Sequence, residues 1–314
     1  MPAGPALLEV RGLRAGYEGI PVVFGVDLDV HEGEVVTLLG ANGAGKTTTL
    51  RAISGLIPRL AGTITFGGRP VHELSAERLA RAGLLQVPEG RGIFRSLTVD
   101  ETLRLAANLA EVPKGEIGPR VDEAYHVFTR LADRRTSQAG MLSGGEQQML
   151  ALARGIIARP RLLMIDEMSQ GLAPTLVEGL FEIVSGFPAR GVSVLLVEQF
   201  VGRALAVATR AYVLEKGEVS FAGPAKQLAK DDSFVRGSYL GSIAAEVVAG
   251  QRVPVNGREP QGESVEVTLP AALLRGLEER AAREGVSAGD LVRELVTDSV
   301  EGRRRRPARR RREA

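Results

Sequence analysis

The 314-residue chain has no cysteine. That excludes a disulfide framework, a thiolate metal site and a cysteine nucleophile, and it is compatible with a reducing compartment. Long apolar runs are missing too: nowhere does the sequence approach the roughly 18 consecutive apolar residues of a membrane-spanning helix. Met1–Val10 lacks the basic start and apolar stretch of an export signal. Any membrane role is therefore expected to be peripheral, at the cytoplasmic face. Nor does one sign of charge dominate, since the formal net charge is only +2. That balance hides an asymmetry. Residues 303–314 hold eight arginines and one glutamate, which leaves 32 basic and 37 acidic residues, a balance of −5, in the rest of the chain. Such a basic run is either a solvated tail or a contact for nucleic acid or anionic lipid.

What is present is 44% apolar and 25% charged residues, enough for one large domain or two unequal ones. From Leu7 to about Gly241, short β-branched runs alternate with helical stretches. Glu34–Leu39 and Arg161–Ile165 read as buried strands; Thr47–Gly55, Glu146–Ala158 and Pro174–Ser185 read as helices. The alternation predicts a parallel α/β sheet. Leu7–Arg14 and Val26–Val30 have hairpin-like spacing, which predicts an antiparallel patch at the edge of that sheet. Leu97–Gly140 turns helical and polar-faced, as an inserted helical subdomain would.

Three motifs carry chemistry. The first, Gly40-Ala41-Asn42-Gly43-Ala44-Gly45-Lys46-Thr47, follows a predicted strand and opens a predicted helix, the setting of a phosphate-binding loop. Glycines let backbone N–H groups turn inward around phosphate oxygens, and the helix N-terminus adds partial positive charge. Lys46 is expected to reach the terminal phosphates and the Thr47 hydroxyl to ligate Mg²⁺. Thr48 follows in the same first turn. The second motif ends the buried run Leu162–Glu167 in adjacent carboxylates, at the strand edge where open α/β sheets place ligands. Alternation along the strand gives them different tasks. Asp166 suits the Mg²⁺ shell, and Glu167 suits the orientation of an attacking water. The third, Leu142-Ser143-Gly144-Gly145-Glu146, heads a helix and exposes a second set of helix N-terminal N–H groups around Ser143, Gly144 and Gly145.

One chain with two anion-binding helix ends resembles the ABC ATPases over about residues 6–241. The resemblance implies a P-loop α/β fold with an antiparallel β subdomain and a helical insertion, and ATP with Mg²⁺ as cofactors. It also implies that the Ser143–Glu146 signature of one subunit covers ATP held by the phosphate loop of a second ATPase subunit, identical or homologous. It further places Tyr17 against adenine and Ser169–Ala173 in the loop after the catalytic carboxylate, where Ala173 replaces the usual aspartate. Gln199 takes the switch position usually held by histidine: it can hydrogen-bond the γ-phosphate without changing charge. Glu89 stands where a glutamine is usual and is expected to orient water or Mg²⁺, with Gln86 read as a strand residue instead. The stretch Val87–Phe94, the Gly171–Pro174 run and Gln199 together look like the second ATP-binding subunit of branched-chain amino acid importers, with a urea and short-amide importer subunit as the close alternative. Transmembrane permease subunits are the implied partners, and a substrate-binding protein an indirect one.

Beyond Gly241, residues 242–262 read as a linker. In residues 263–302, Ser264–Pro270 alternates strictly and is followed by amphipathic stretches Ala271–Glu284 and Ala288–Val300, with Ser287 as a cap. One strand and two helices are too small to stand alone, and pairing with a second copy would bury their apolar faces. The unit looks like a ribbon-helix-helix dimer. In such repressors Ser264, Glu266 and Thr268 would face DNA, but a carboxylate at Glu266 disfavours that contact while the arginine tail favours it. Dimerisation is the expectation that follows, and a nucleotide-sensing DNA-binding protein is the alternative.

Overall fold

The computed structural model describes residues 5–71 and 74–230. The linker at 242–262, the unit at 263–302, the tail at 303–314 and the last residues of the expected ATPase domain lie outside the described residues.

The chain opens with a long antiparallel hairpin, β1 (Ala6–Tyr17) and β2 (Ile20–His31). Its turn residues Glu18 and Gly19 both have positive φ, 52° and 81°, the tight two-residue connection that matches the strands' twist. Pairing runs from Tyr17↔Ile20 to Ala6↔His31 with several register shifts. The second strand therefore starts six residues before the expected Val26. Gly25, with φ 84°, sits where Leu13↔Val26 gives way to Arg14↔Phe24, a bulge inside the strand. Two more strands, β4 (Arg59–Phe66) and β5 (Arg69–Pro70), complete a four-stranded sheet in the order β2-β1-β4-β5.

The second sheet is the expected parallel one. It contains β3 (Val35–Leu39), β6 (Leu84–Val87), β7 (Leu162–Asp166), β8 (Ser193–Glu198), β9 (Arg210–Glu215) and β10 (Glu218–Pro224), in the order β10-β9-β3-β8-β7-β6. Only β10 runs antiparallel to its neighbour. Every residue of β3, β7 and β8 is buried, which is why these segments read as unbroken apolar runs. Alternate residues serve two cores. Leu39, Leu163, Ile165, Val194 and Leu196 face one, whereas Leu38, Leu162, Met164, Leu195 and Val197 face the other. Fully burying such a side chain contributes roughly 1.5–3 kcal/mol, and a one-residue slip would send each to the wrong side.

Helices α1 (Lys46–Ile53) and α2 (Ala76–Arg81) follow β3 and precede β6, respectively. The inserted subdomain is helical as expected: α3 (Val99–Leu109), α4 (Lys114–Val127) and the single turn α5 (Thr129–Ala132). After it come α6 (Gly144–Ile157), α7 (Pro174–Ser185), α8 (Val201–Val207) and the short α9 (Ala225–Leu228). Helix α7 matches its sequence prediction at both ends because Pro174 occupies the first turn, where a missing N–H costs nothing. Among the described residues no helix is long and apolar enough to cross a membrane.

Candidate active site

The loop from Gly40 to Gly45 joins the C-terminal end of β3 to α1. A Cβ on Gly40 would collide with the carbonyl oxygen of Leu214, so this turn accepts only glycine. Gly45 takes a left-handed φ of 104° as the residue before α1, which glycine adopts without strain. Helix α1 has no side-chain cap and no acid in its first turn. Its free N–H groups and positive dipole end are therefore left to an anion.

Lys46 is buried, and its Nζ donates to the carbonyls of Gly40 at 2.9 Å and Ala41 at 3.3 Å while lying 3.4 Å from Glu167 Oε1. The buried cation is thus balanced by the carboxylate at the end of the neighbouring strand. Beside it, Thr47 Oγ1 donates to Asp166 Oδ1 at 3.2 Å. Thr48 is buried in the first turn of α1. Asp166 is 1% exposed, and its second oxygen, Oδ2, has no hydrogen-bond partner. Burial pushes its carboxyl up to about 6; the negative charges of Glu167 and Glu89 add to this, while Thr47 and Lys46 oppose it. An orphaned carboxylate oxygen is costly inside a protein, and a cation removes that cost.

Glu167 follows directly, with φ 49° and its N–H donating to Val197 O at 2.9 Å. Few non-glycine residues adopt that backbone, and those that do cluster at functional sites. Gln199 Nε2 donates to Glu167 Oε2 at 2.8 Å. One carboxylate oxygen therefore faces Lys46 and the other is held by Gln199. Glu89 is exposed just past β6, near enough to Asp166 to act on its charge. Gln86 lies within β6 and accepts a bond from Ser54 Oγ at 2.7 Å, as a strand residue should. Tyr17 ends β1, 40% exposed, its hydroxyl accepting from Arg51 Nη1 at 3.2 Å.

Ser143 caps α6 in a reciprocal box: Glu146 N–H donates to Ser143 Oγ at 3.3 Å, and Ser143 N–H donates to Glu146 Oε2 at 2.8 Å. Gly145 serves packing as well, because a Cβ there would lie 2.6 Å from Leu176 Cδ1 on α7. Among the described residues no hydrogen bond joins Ser143–Gly145 to the phosphate loop.

Glu198 was not singled out from sequence. It is 1% exposed, accepts from the backbone N–H groups of Ser169 at 3.2 Å and Gln199 at 3.3 Å, and also takes the Ser169 hydroxyl. Burial pushes its carboxyl up to about 7 against those hydrogen bonds. It ties the loop after Glu167 to the residue that holds Glu167. The available signal was an ionisable residue ending a strand that is otherwise wholly apolar apart from Ser193.

The family model described as ABC transporter matches residues 23–170, and that of the ribbon-helix-helix proteins of the copG family matches 263–301. The high-affinity branched-chain amino acid transport ATP-binding protein BraG of Pseudomonas aeruginosa is 40% identical over 225 residues, 72% of this chain and 95% of that protein. The probable branched-chain amino acid transport ATP-binding protein LivF of Archaeoglobus fulgidus is 35% identical over 229 residues, 73% of this chain and 96% of that protein. Among solved structures, an ATP-binding subunit of an ABC transporter superposes with a TM-score of 0.65 at 29% identity, over 74% of this chain and 98% of that one. The chain belongs to the ABC transporter ATP-binding family: it is an ABC ATPase, homologous to branched-chain amino acid transport ATP-binding proteins.

Proposed function

We propose that this chain powers an importer for branched-chain amino acids, with Glu167 as the residue that orients the attacking water. The observation that carries the catalytic part is the bracketing of Glu167 between Lys46 and Gln199, next to the Thr47–Asp166 pair. Lys46 turns from the loop's own carbonyls to the terminal phosphates when nucleotide binds. Glu167 then loses its cationic neighbour and is free to accept a hydrogen bond from water, while Gln199 keeps one carboxylate oxygen fixed. Mg²⁺ fits the Thr47 hydroxyl and the orphaned Asp166 oxygen, and when bound it neutralises charge on the phosphate oxygens. Among the described residues no cluster of three or more histidines or carboxylates is poised to hold a metal; Mg²⁺ in nucleotide sites takes one or two protein ligands and fills the rest with phosphate and water. Tyr17 provides the aromatic face for adenine.

Ser143, Gly144 and Gly145 have no bond to the phosphate loop of their own chain, which supports their use on ATP held by a second ATPase subunit. Closure of two such subunits on ATP moves permease subunits in the membrane, and hydrolysis resets them. The chain divides into the ATPase domain at 6–241, a linker at 242–262, a dimerising unit at 263–302 and an arginine-rich tail at 303–314. The ribbon-helix-helix match also favours a second reading of that unit, binding to DNA. The substrate is tested by ATP-dependent uptake of labelled leucine, isoleucine and valine in cells lacking the chain. Uptake is expected to return with the parent but not with Lys46→Ala. Unchanged leucine uptake with lost urea uptake would overturn the substrate and favour the short-amide reading.

A further inference from the structure

The sequence contains two Asn-Gly pairs, Asn42-Gly43 and Asn256-Gly257. The first stands at the tip of the phosphate loop. Ala41, Asn42 and Gly43 are exposed, whereas Ala44, Gly45 and Lys46 are buried. The tip is a tight turn closed by Ala44 N–H donating to Ala41 O at 3.1 Å, and the base of the loop is braced by Gly217 N–H donating to Ala44 O at 3.0 Å. Gly43 has φ 79°, the left-handed value that glycine supplies in the third place of such a turn. Apart from its chain neighbours, nothing lies within 4 Å of where a Cβ on Gly43 would stand. Among the described residues neither the Asn42 amide nor the Gly43 N–H has a hydrogen-bond partner.

An asparagine followed by glycine closes on itself readily, because no side chain shields the second residue's nitrogen. The Gly43 nitrogen gives its proton to solvent base and attacks Cγ of Asn42. The Cγ–Nδ2 bond breaks, ammonia leaves with a proton from water, and a five-membered imide remains. Water then opens the imide at either carbonyl, leaving aspartate, or isoaspartate with the main chain running through the side-chain carbon. Water is consumed, ammonia is released, and nothing is oxidised or reduced. In the empty loop both reacting groups stand open to solvent. Bound phosphate occupies the N–H groups of such a loop and covers its tip.

We propose that Asn42 is a modification site of the empty phosphate loop, converted through the imide to aspartate and isoaspartate, and that bound nucleotide protects it. The proposal rests on the reading of Gly40–Thr47 as the nucleotide loop. Either product puts a carboxylate where phosphate must sit, and like charges in contact are strongly unfavourable. The isoaspartyl form also lengthens the main chain by a methylene, which moves the N–H groups out of register. A chain left without nucleotide therefore loses its nucleotide site, and occupancy sets how fast.

The test incubates the full-length chain warm at mildly alkaline pH, with or without Mg²⁺ and ADP. Peptide mass mapping then reads both Asn-Gly pairs, and ADP is titrated into the protein after nucleotide is removed. ADP at about 100 times its dissociation constant is expected to slow conversion at Asn42 about 100-fold, since only the empty fraction reacts. Conversion at Asn256, remote from the loop in sequence, should change by less than about twofold. Loss of ADP binding should track conversion at Asn42, with affinity at least about tenfold weaker in the converted fraction. Asn42→Ser, which cannot form the imide, should keep through the same incubation whatever affinity it starts with. No conversion at Asn42 while Asn256 converts, conversion insensitive to ADP, or full binding by the converted chain would overturn the proposal and leave the reading of the loop standing. A fresh parent chain that binds no ADP would overturn the reading of the loop and the protection with it.

Discussion

At the scale of single residues, Glu167 is held from both sides, and the two holders differ in what they can lose. If Gln199 acts through its hydrogen bond alone, Gln199→His retains most of the hydrolysis rate, because an imidazole N–H can replace the amide donor. Gln199→Ala then lowers turnover about 100-fold, the lower end of what a positioned catalytic group contributes. Equal turnover in all three chains would remove the residue from the site. Glu198 makes a pH prediction. Its carboxyl is moved from the ordinary 4.5 to about 7 by burial, so between those values the native chain holds a proton that the unfolded chain has released. Stability therefore falls as pH rises through that window, by ~3 kcal/mol in all, and levels off above it. Glu198→Gln should flatten the denaturation midpoint between pH 5 and 7, a window that the pKa values of about 4.5 and about 7 define; an unchanged slope would mean that other groups carry it. The phosphate loop and the carboxylate pair were legible in sequence because each depends on adjacent residues. The hydrogen bond from Arg91 to Gln147 was not, since its partners are 56 positions apart and meet only once β6 and α6 are in place.

At the scale of elements, the most readable segments were those whose burial pattern leaves one choice. Strands β3 and β7 are buried on both faces and bounded by glycine or charge, and α7 begins on a proline. Strand β2 begins six residues before the expected Val26, because Gly25 makes a bulge within the strand instead of ending it. Helix α6 begins at Gly144, directly after the Ser143 cap that the motif marks and two residues before the helical run expected from Glu146, because two glycines of low helical propensity occupy its first turn. That box gives a stability prediction. Ser143→Ala removes the acceptor for Glu146 N–H and is expected to cost about 1 kcal/mol, seen as a lower midpoint in urea at unchanged slope. An unaltered midpoint would show that Glu146 and water satisfy the helix end without the hydroxyl.

At the scale of the whole molecule, the phosphate loop, the signature and both carboxylates precede residue 231, whereas the segment matched by the ribbon-helix-helix family begins at 263. A chain truncated before residue 263 should therefore bind ATP as the full chain does but associate less in the absence of nucleotide, as read by sedimentation velocity; identical association would reject a dimerising role for the C-terminal unit. The most direct test of the account as a whole is steady-state phosphate release from Glu167→Gln beside the parent, with ATP binding measured on both. The account predicts unchanged ATP affinity with turnover lowered about 100-fold or more, because an amide keeps the carboxylate's shape but orients and deprotonates water poorly. Near-normal phosphate release from the variant would contradict it.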